Sequence, residues 1–220
     1  MKPSLLMKNS SLASLRARTA LAVLLACVSA AGAGAATPNP VPEDRFFLSV
    51  GALAADKVKF KDGGDAFDYG RGYCFTMGFA VPVAPRLRLG LGFDYLHTSR
   101  KPATGTRGGP ELHGTDYLLS LRLACYPCRF VTLYAGAGGG LYKWQPKAGG
   151  FSHGQEARLL SNLDVTCSLH PWPTQRVAID IGARCMLRGD TRPGPRHDEN
   201  MVLKGTEAMF FLGVRFVWLD

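Results

Sequence analysis

Nowhere does the chain hold the 18 or so consecutive apolar residues that a helix needs to cross a bilayer, which excludes a helical membrane protein. Helical signals of other kinds are scarce, since apolar residues rarely recur at spacings of three and four. Metal chemistry finds little footing: the one C-x-x-C, Cys125-Tyr126-Pro127-Cys128, has neither a second ligand pair nor a thioredoxin-like βαβ context. Acids are outnumbered, 17 against 26 Lys and Arg, but without the clustering that a nucleic-acid surface would show. No cofactor is implied.

What is present begins with an N-terminal export pattern. Lys2, Lys8, Arg16 and Arg18 precede an apolar run over residues 20–31, and Ala33-Gly34-Ala35 follows as an A-x-A cleavage pattern. Residues 1–36 are therefore predicted to be a signal peptide and residues 37–220 the mature domain. Four of the 26 basic residues would leave with the signal and all 17 acids stay, so the mature net charge is about +5. Leu24-Leu25-Ala26-Cys27 has the outline of a lipobox, but the apolar run continues past Cys27, which favours plain cleavage.

The mature chain alternates with a period of two. Tyr73, Phe75, Met77, Phe79 and Val81 alternate with Cys74, Thr76, Gly78 and Ala80; Leu87, Leu89, Leu91, Phe93 and Tyr95 alternate with Arg88, Gly90, Gly92 and Asp94. The same pattern predicts eight strands, over 44–54, 73–83, 86–98, 114–125, 129–143, 157–169, 175–188 and 203–218. Each is long enough to cross a membrane at a tilt. Their connections alternate as well. "PVAPR", "CYPC" and "HPWPTQ" are short and marked by proline, whereas "DKVKFKDGGDAFDYGRG", "TSRKPATGTRGGPELHG", "KWQPKAGGFSHGQE" and "GDTRPGPRHDENMV" are long and polar. An up-and-down meander with tight turns on one side and extended loops on the other has this form, as transmembrane barrels do.

A soluble lipocalin-like barrel would also alternate, and the polarity of the two faces separates the cases. Were the apolar set inside, the other set would face water. That other set is instead rich in glycine, with scattered charges of both signs, which suits the crowded lumen of a small barrel. By parity Arg88, Asp94, Arg122, Asp164, Asp180, Arg184, Glu207 and Arg215 fall on this lumen face. Eight strands enclose little more than side-chain volume, so these charges are expected to pair into a plug rather than to line an ion path.

The chain closes on "FFLGVRFVWLD", with Phe210, Leu212, Val214, Phe216 and Trp218 on one face and Gly213 and Arg215 on the other. Gly213-x-x-Phe216-x-Trp218 resembles the C-terminal signal by which small eight-stranded outer-membrane barrels of Gram-negative bacteria, the OmpX-like proteins and the OmpA barrel domain, are delivered to the barrel assembly machinery. Leu219 and Asp220 follow the aromatic, and Phe211 replaces a polar residue of that pattern. "YAGAGGGLY" resembles the glycine-rich strands of the same family. The resemblance implies an all-β, eight-stranded antiparallel up-and-down transmembrane barrel, monomeric, in contact with outer-membrane lipid and lipopolysaccharide and exported through the periplasm, with a structural or surface-interaction role rather than an enzyme's or an open porin's; a lipid-modifying enzyme or a narrow carrier for small hydrophobic molecules is the alternative.

Three further sets of residues carry candidate chemistry. Five cysteines follow the predicted signal, and Cys125 with Cys128 offers a disulfide across a turn or two tolerated thiols, while Cys167 and Cys185 have outward parity. His97 and Ser99, with Glu111 in the following loop, suggest the Ser-His-Glu set of an outer-membrane lipid A deacylase; in those enzymes, however, His-x-Ser lies near the C-terminus and continues into Asn rather than Arg100. Lys57, Lys59, Lys61, Arg100, Lys101, Arg107, Lys147, Arg192 and Arg196 lie in the long loops among acids, where they could meet lipopolysaccharide phosphates or simply be solvated.

Overall fold

A computed structural model describes residues 44–60, 64–103, 111–128, 130–146, 158–171, 176–189, 203 and 205–219. The predicted signal peptide and Cys27 lie outside them, as do the basic loop residues Lys61, Arg107, Lys147, Arg192 and Arg196.

Eight long strands close into one barrel: β1 (Asp44–Ala55), β4 (Gly70–Ala84), β5 (Leu87–Arg100), β6 (Leu112–Cys128), β7 (Val131–Pro146), β8 (Arg158–Leu169), β9 (Val177–Arg188) and β10 (Thr206–Leu219). Every strand pairs antiparallel with its sequence neighbour around the barrel, and β10 returns to β1 with Phe46 opposite Trp218 and Ala52 opposite Leu212. Closure removes the unpaired edges that an open sheet of this length would present. It also leaves no backbone ladder unsatisfied where lipid would offer no substitute. The predicted strands coincide with the observed ones to within a few residues at each end.

The period-two pattern sets the faces. Tyr73, Phe79, Leu91, Leu119, Leu121, Phe210 and Trp218 are exposed on the outside. Their neighbours Cys74, Thr76, Asp94, Ser120, Arg122 and Arg215 are buried inside. A large apolar outer surface around a polar interior inverts the arrangement of a water-soluble barrel.

One piece was not foreseen. The connection after β1, read from the sequence as a polar loop, contains a two-stranded hairpin of β2 (Val58–Lys59) and β3 (Asp65–Phe67). It lies at the long-loop end of the barrel, where Phe60 bridges to Leu203 and Phe67 to Pro102. Backbone hydrogen bonds hold it, with Asp56 N–H donating to the Ala208 carbonyl, Asp68 N–H to Lys101 and Ala103 N–H to Ala66.

Candidate functional site

The lumen is packed along its length. At the short-turn end, Arg88 stacks over the Tyr126 ring at 5.4 Å, and the Thr132 hydroxyl meets His170 Nε2 at 2.9 Å. One layer up, the Asp180 carboxylate accepts from Arg215 Nε at 2.9 Å, from Ser49 at 2.9 Å and from Ser168. The Arg215 guanidinium sits between two aromatic faces, 4.1 Å from the Tyr134 centroid and 4.3 Å from Phe47. Such stacking suits arginine, whose planar cation is weakly hydrated and tolerates burial against rings.

The middle layer centres on Asp94. Arg122 Nη2 lies 2.8 Å from both of its oxygens, Arg184 Nη2 lies 3.2 Å away, and the Thr76 hydroxyl donates to it. Arg122 also faces Asp164 at 3.4 Å, and the Asn162 amide donates to that same carboxylate at 3.4 Å. Two glycines make room for this guanidinium. A Cβ on Gly92 would fall 2.8 Å from Arg122 Nη1, and one on Gly136 would fall 2.5 Å from Asp164 Oδ1 and 2.9 Å from Arg122 Cγ. The glycine richness of the lumen face thus has a volumetric cause.

Nearest the long loops, Arg188 bridges Asp116 and Glu207, and Arg100 pairs with Glu207 as well. The rings of Trp144 and Tyr142 lie 5.3 and 5.5 Å from the Arg188 guanidinium. An apolar cluster surrounds these ions: Leu96, Leu118, Met186 and Met209 lie on the same strands toward the middle of the barrel, and toward the loops the cluster continues through Leu112 to Val58 and Ala66 of the hairpin, with Phe60 and Phe67 packed against it. The hairpin is therefore a cover on the outer mouth.

All eight residues assigned to the lumen by parity are buried there. Seven form ion pairs within it, and Arg88 is held by the Tyr126 ring. Three further ions were missed. Arg100, taken from the sequence as a loop cation, is 1% exposed at the end of β5, and Asp116 and Arg188 are equally interior. Asp116 and Arg188 lie within the predicted strands 114–125 and 175–188 on the parity of Arg122 and Arg184, so that parity alone would have found them, whereas Arg100 needed β5 carried two residues past its predicted end.

Cys125 and Cys128 are not joined by a disulfide: Cys125 is fully buried and Cys128 exposed. An odd separation of three along extended chain sends two side chains to different environments, and a register shift at this turn separates them further. Cys167 and Cys185 are half-buried thiols with the expected outward parity. Of the residues that resemble an assembly signal, Gly213 lies against Gly51, where a Cβ would meet the Val50 carbonyl at 2.8 Å. Phe216 and Trp218 are exposed on the outside, and Trp218 packs on Phe46 with centroids 5.5 Å apart.

His97 and Ser99 share the outer face two residues apart along β5, roughly 7 Å by strand geometry, so they do not touch as base and nucleophile. His97 Nδ1 meets the Thr115 hydroxyl at 3.5 Å, while Ser99 stands opposite His113 and Glu111 approaches His113 Nε2 at 3.9 Å. Sequence reasoning had not singled out His113. In the hairpin, Lys57 Nζ is 2.8 Å from Asp65, 3.9 Å from Asp68 and 5.5 Å from the Tyr69 ring centroid. This hydrogen bond raises the Lys57 pKa and lowers that of Asp65.

No family model matches the chain, and no curated protein matches it in sequence. Solved structures do match in fold. Neisserial surface protein A superposes with a TM-score of 0.55 at 18% identity, over 79% of this chain and 97% of its own. The outer membrane protein OprG from Pseudomonas aeruginosa gives 0.54 at 10% identity, over 82% and 98%. At such identities the likeness is one of architecture. It defines the class: the protein is a small eight-stranded β-barrel of the outer-membrane type. Within that class it has the fold of the small OmpX-like barrels, with a packed charged lumen and a hairpin over its outer mouth.

Proposed function

We propose that the protein is a non-conducting component of the outer membrane with a structural or surface-interaction role, in membrane integrity, adhesion or lipopolysaccharide contact. The observation that carries this reading is the filled lumen: three tiers of arginine–carboxylate pairs occupy it, with an apolar layer of Leu96, Leu118, Met186 and Met209 between the upper two and the hairpin over the outer mouth. A pore of this size would need a continuous wet path, and each buried ion here is already committed to an opposite charge or an aromatic face. Chemistry inside the barrel is disfavoured for the same reason, so interaction is assigned to the outer rim and the four long connections. Export through the periplasm, with delivery to the assembly machinery by Gly213, Phe216 and Trp218, belongs to the same proposal.

Planar bilayers test it. Reconstituted protein is expected to stay silent across applied voltages, and discrete, reproducible single-channel steps would overturn the non-conducting reading. Replacing the connection over residues 56–69 with a short Gly-Ser linker should leave the barrel heat-modifiable on electrophoresis while altering binding at the cell surface.

A further inference from the structure

Resting on the reading of an outer-membrane barrel, we infer that the outward face of β4–β7 at its long-loop end is a binding site for the phosphorylated sugar head of an outer-leaflet glycolipid. The site is built by register. Tyr73 pairs with His97, His97 with Thr115 and Thr115 with Lys143; one step toward the loops, Arg71 pairs with Ser99 and Ser99 with His113. The outward residues nearest the middle of the barrel are aromatic and aliphatic, with Tyr95 opposite Tyr117 and Tyr117 opposite Leu141.

A continuous ladder of rings crosses the strands. Centroids lie 5.4 Å apart for Tyr95–Tyr117, 6.1 Å for Tyr73–Tyr95, 5.2 Å for Tyr73–His97 and 5.7 Å for His97–His113. The flat, apolar faces of sugar rings stack on such surfaces, and tyrosine hydroxyls and imidazoles supply hydrogen bonds to sugar hydroxyls.

Charge complementarity decides the rest. Among the described residues neither Arg71 nor Lys143 has an ion-pair partner, although both stand on the outward face of a barrel that is otherwise apolar outside. Glu111, just before β6, approaches His113 Nε2 at 3.9 Å. Cations in this position cannot face hydrocarbon cheaply and find their counter-charge in headgroup phosphates, arginine by a bidentate fork and lysine as a point charge. The feature is one-sided: at the corresponding outward ends of β8–β10 stand Leu159, Ser161, Leu187 and Phe210. A general interfacial girdle would encircle the barrel, whereas this patch occupies one wall. It also differs from the loop lysines, since Lys57 is already engaged by Asp65.

Native mass spectrometry of the detergent-solubilised full chain, incubated with bis-phosphorylated lipid A or with its phosphate-free counterpart, tests the inference. The wild type should retain the phosphorylated lipid and release the other. Arg71→Ala and Lys143→Ala should each weaken retention about fivefold, the effect of one interfacial cation on an anionic lipid surface. Lys57→Ala should change it little. Equal retention of both lipids, or undiminished retention by the double variant, would overturn the site. Heat-modifiability confirms that each variant is folded, and rising salt should release lipid from the unmutated protein in the same assay. Loss of the parent reading would show separately, as recovery of the unmutated chain in a soluble fraction without detergent.

Discussion

Asp94 is the residue on which the lumen most depends, because its single carboxylate serves two guanidiniums and two hydroxyls. Removing one partner of a buried pair leaves an uncompensated charge, a cost of about 3–5 kcal/mol. Asp94→Ala is therefore expected to lower stability by that order, read as an earlier midpoint in urea unfolding of the micelle-bound barrel. Asp164→Ala should cost less, since its ion pair with Arg122 is longer, at 3.4 Å, and Arg122 keeps Asp94. Equal losses would show that the two carboxylates act as one unit. At this scale the chain was partly legible. Parity placed eight ions inside, but it could not say that Asp94 would gather Arg122 and Arg184 from two other strands, because that depends on barrel register.

At the scale of elements, the β2–β3 hairpin and the closing strand β10 make separate claims. Asp65 has a pKa lowered by its hydrogen bond from Lys57, so the contribution of this pair to the folded hairpin is present above the ordinary aspartate range and fades as pH falls through the lowered value. Lys57, raised by the same contact, contributes below the ordinary lysine range and loses its share only as pH rises through the raised value. A carbon-13 titration of the Asp65 carboxyl in micelles should show a midpoint below that of the same residue in Lys57→Ala; coincident midpoints would remove the interaction. For β10, the expectation is kinetic. Trp218→Ala should reduce the amount of protein inserted in the outer membrane of living cells while refolding from urea into detergent is little changed, because the exposed Trp218 packs only against Phe46 among the described rings. Parallel losses in both assays would mean a structural role alone. The hairpin was hidden in the sequence by its charges: Val58, Phe60, Ala66 and Phe67 are diluted by lysines and aspartates, and only the open mouth of a barrel explains why so short a piece folds.

The whole molecule is a closed cylinder that is apolar outside, ionic within and covered at one end. Extraction from membranes should require detergent, and the unboiled protein should run differently from the boiled one on electrophoresis. Identical mobility, with the protein recovered in a soluble fraction, would contradict the architecture. Removal of the cover by a linker across residues 56–69 is expected to uncover the Arg100–Glu207–Arg188–Asp116 cluster without opening a channel, since that cluster and the apolar layer of Leu96, Leu118, Met186 and Met209 beneath it still fill the lumen. Persistent silence of that variant in bilayers would locate the seal in the ion layers, whereas conductance would locate it in the hairpin.

Alternation of large apolar residues with glycine and charge was enough by itself to determine the eight barrel strands and the direction of each face, because a strand's period of two leaves one side for lipid and one for the lumen. It did not determine which ions meet, that Arg215 lies between Phe47 and Tyr134, or that Arg71, His97, His113 and Lys143 gather on one wall. Those outcomes depend on how far each strand slides against its neighbour and on how the barrel closes. A slide of two residues preserves every face while changing every partner, so the pairings were settled only by the folded barrel.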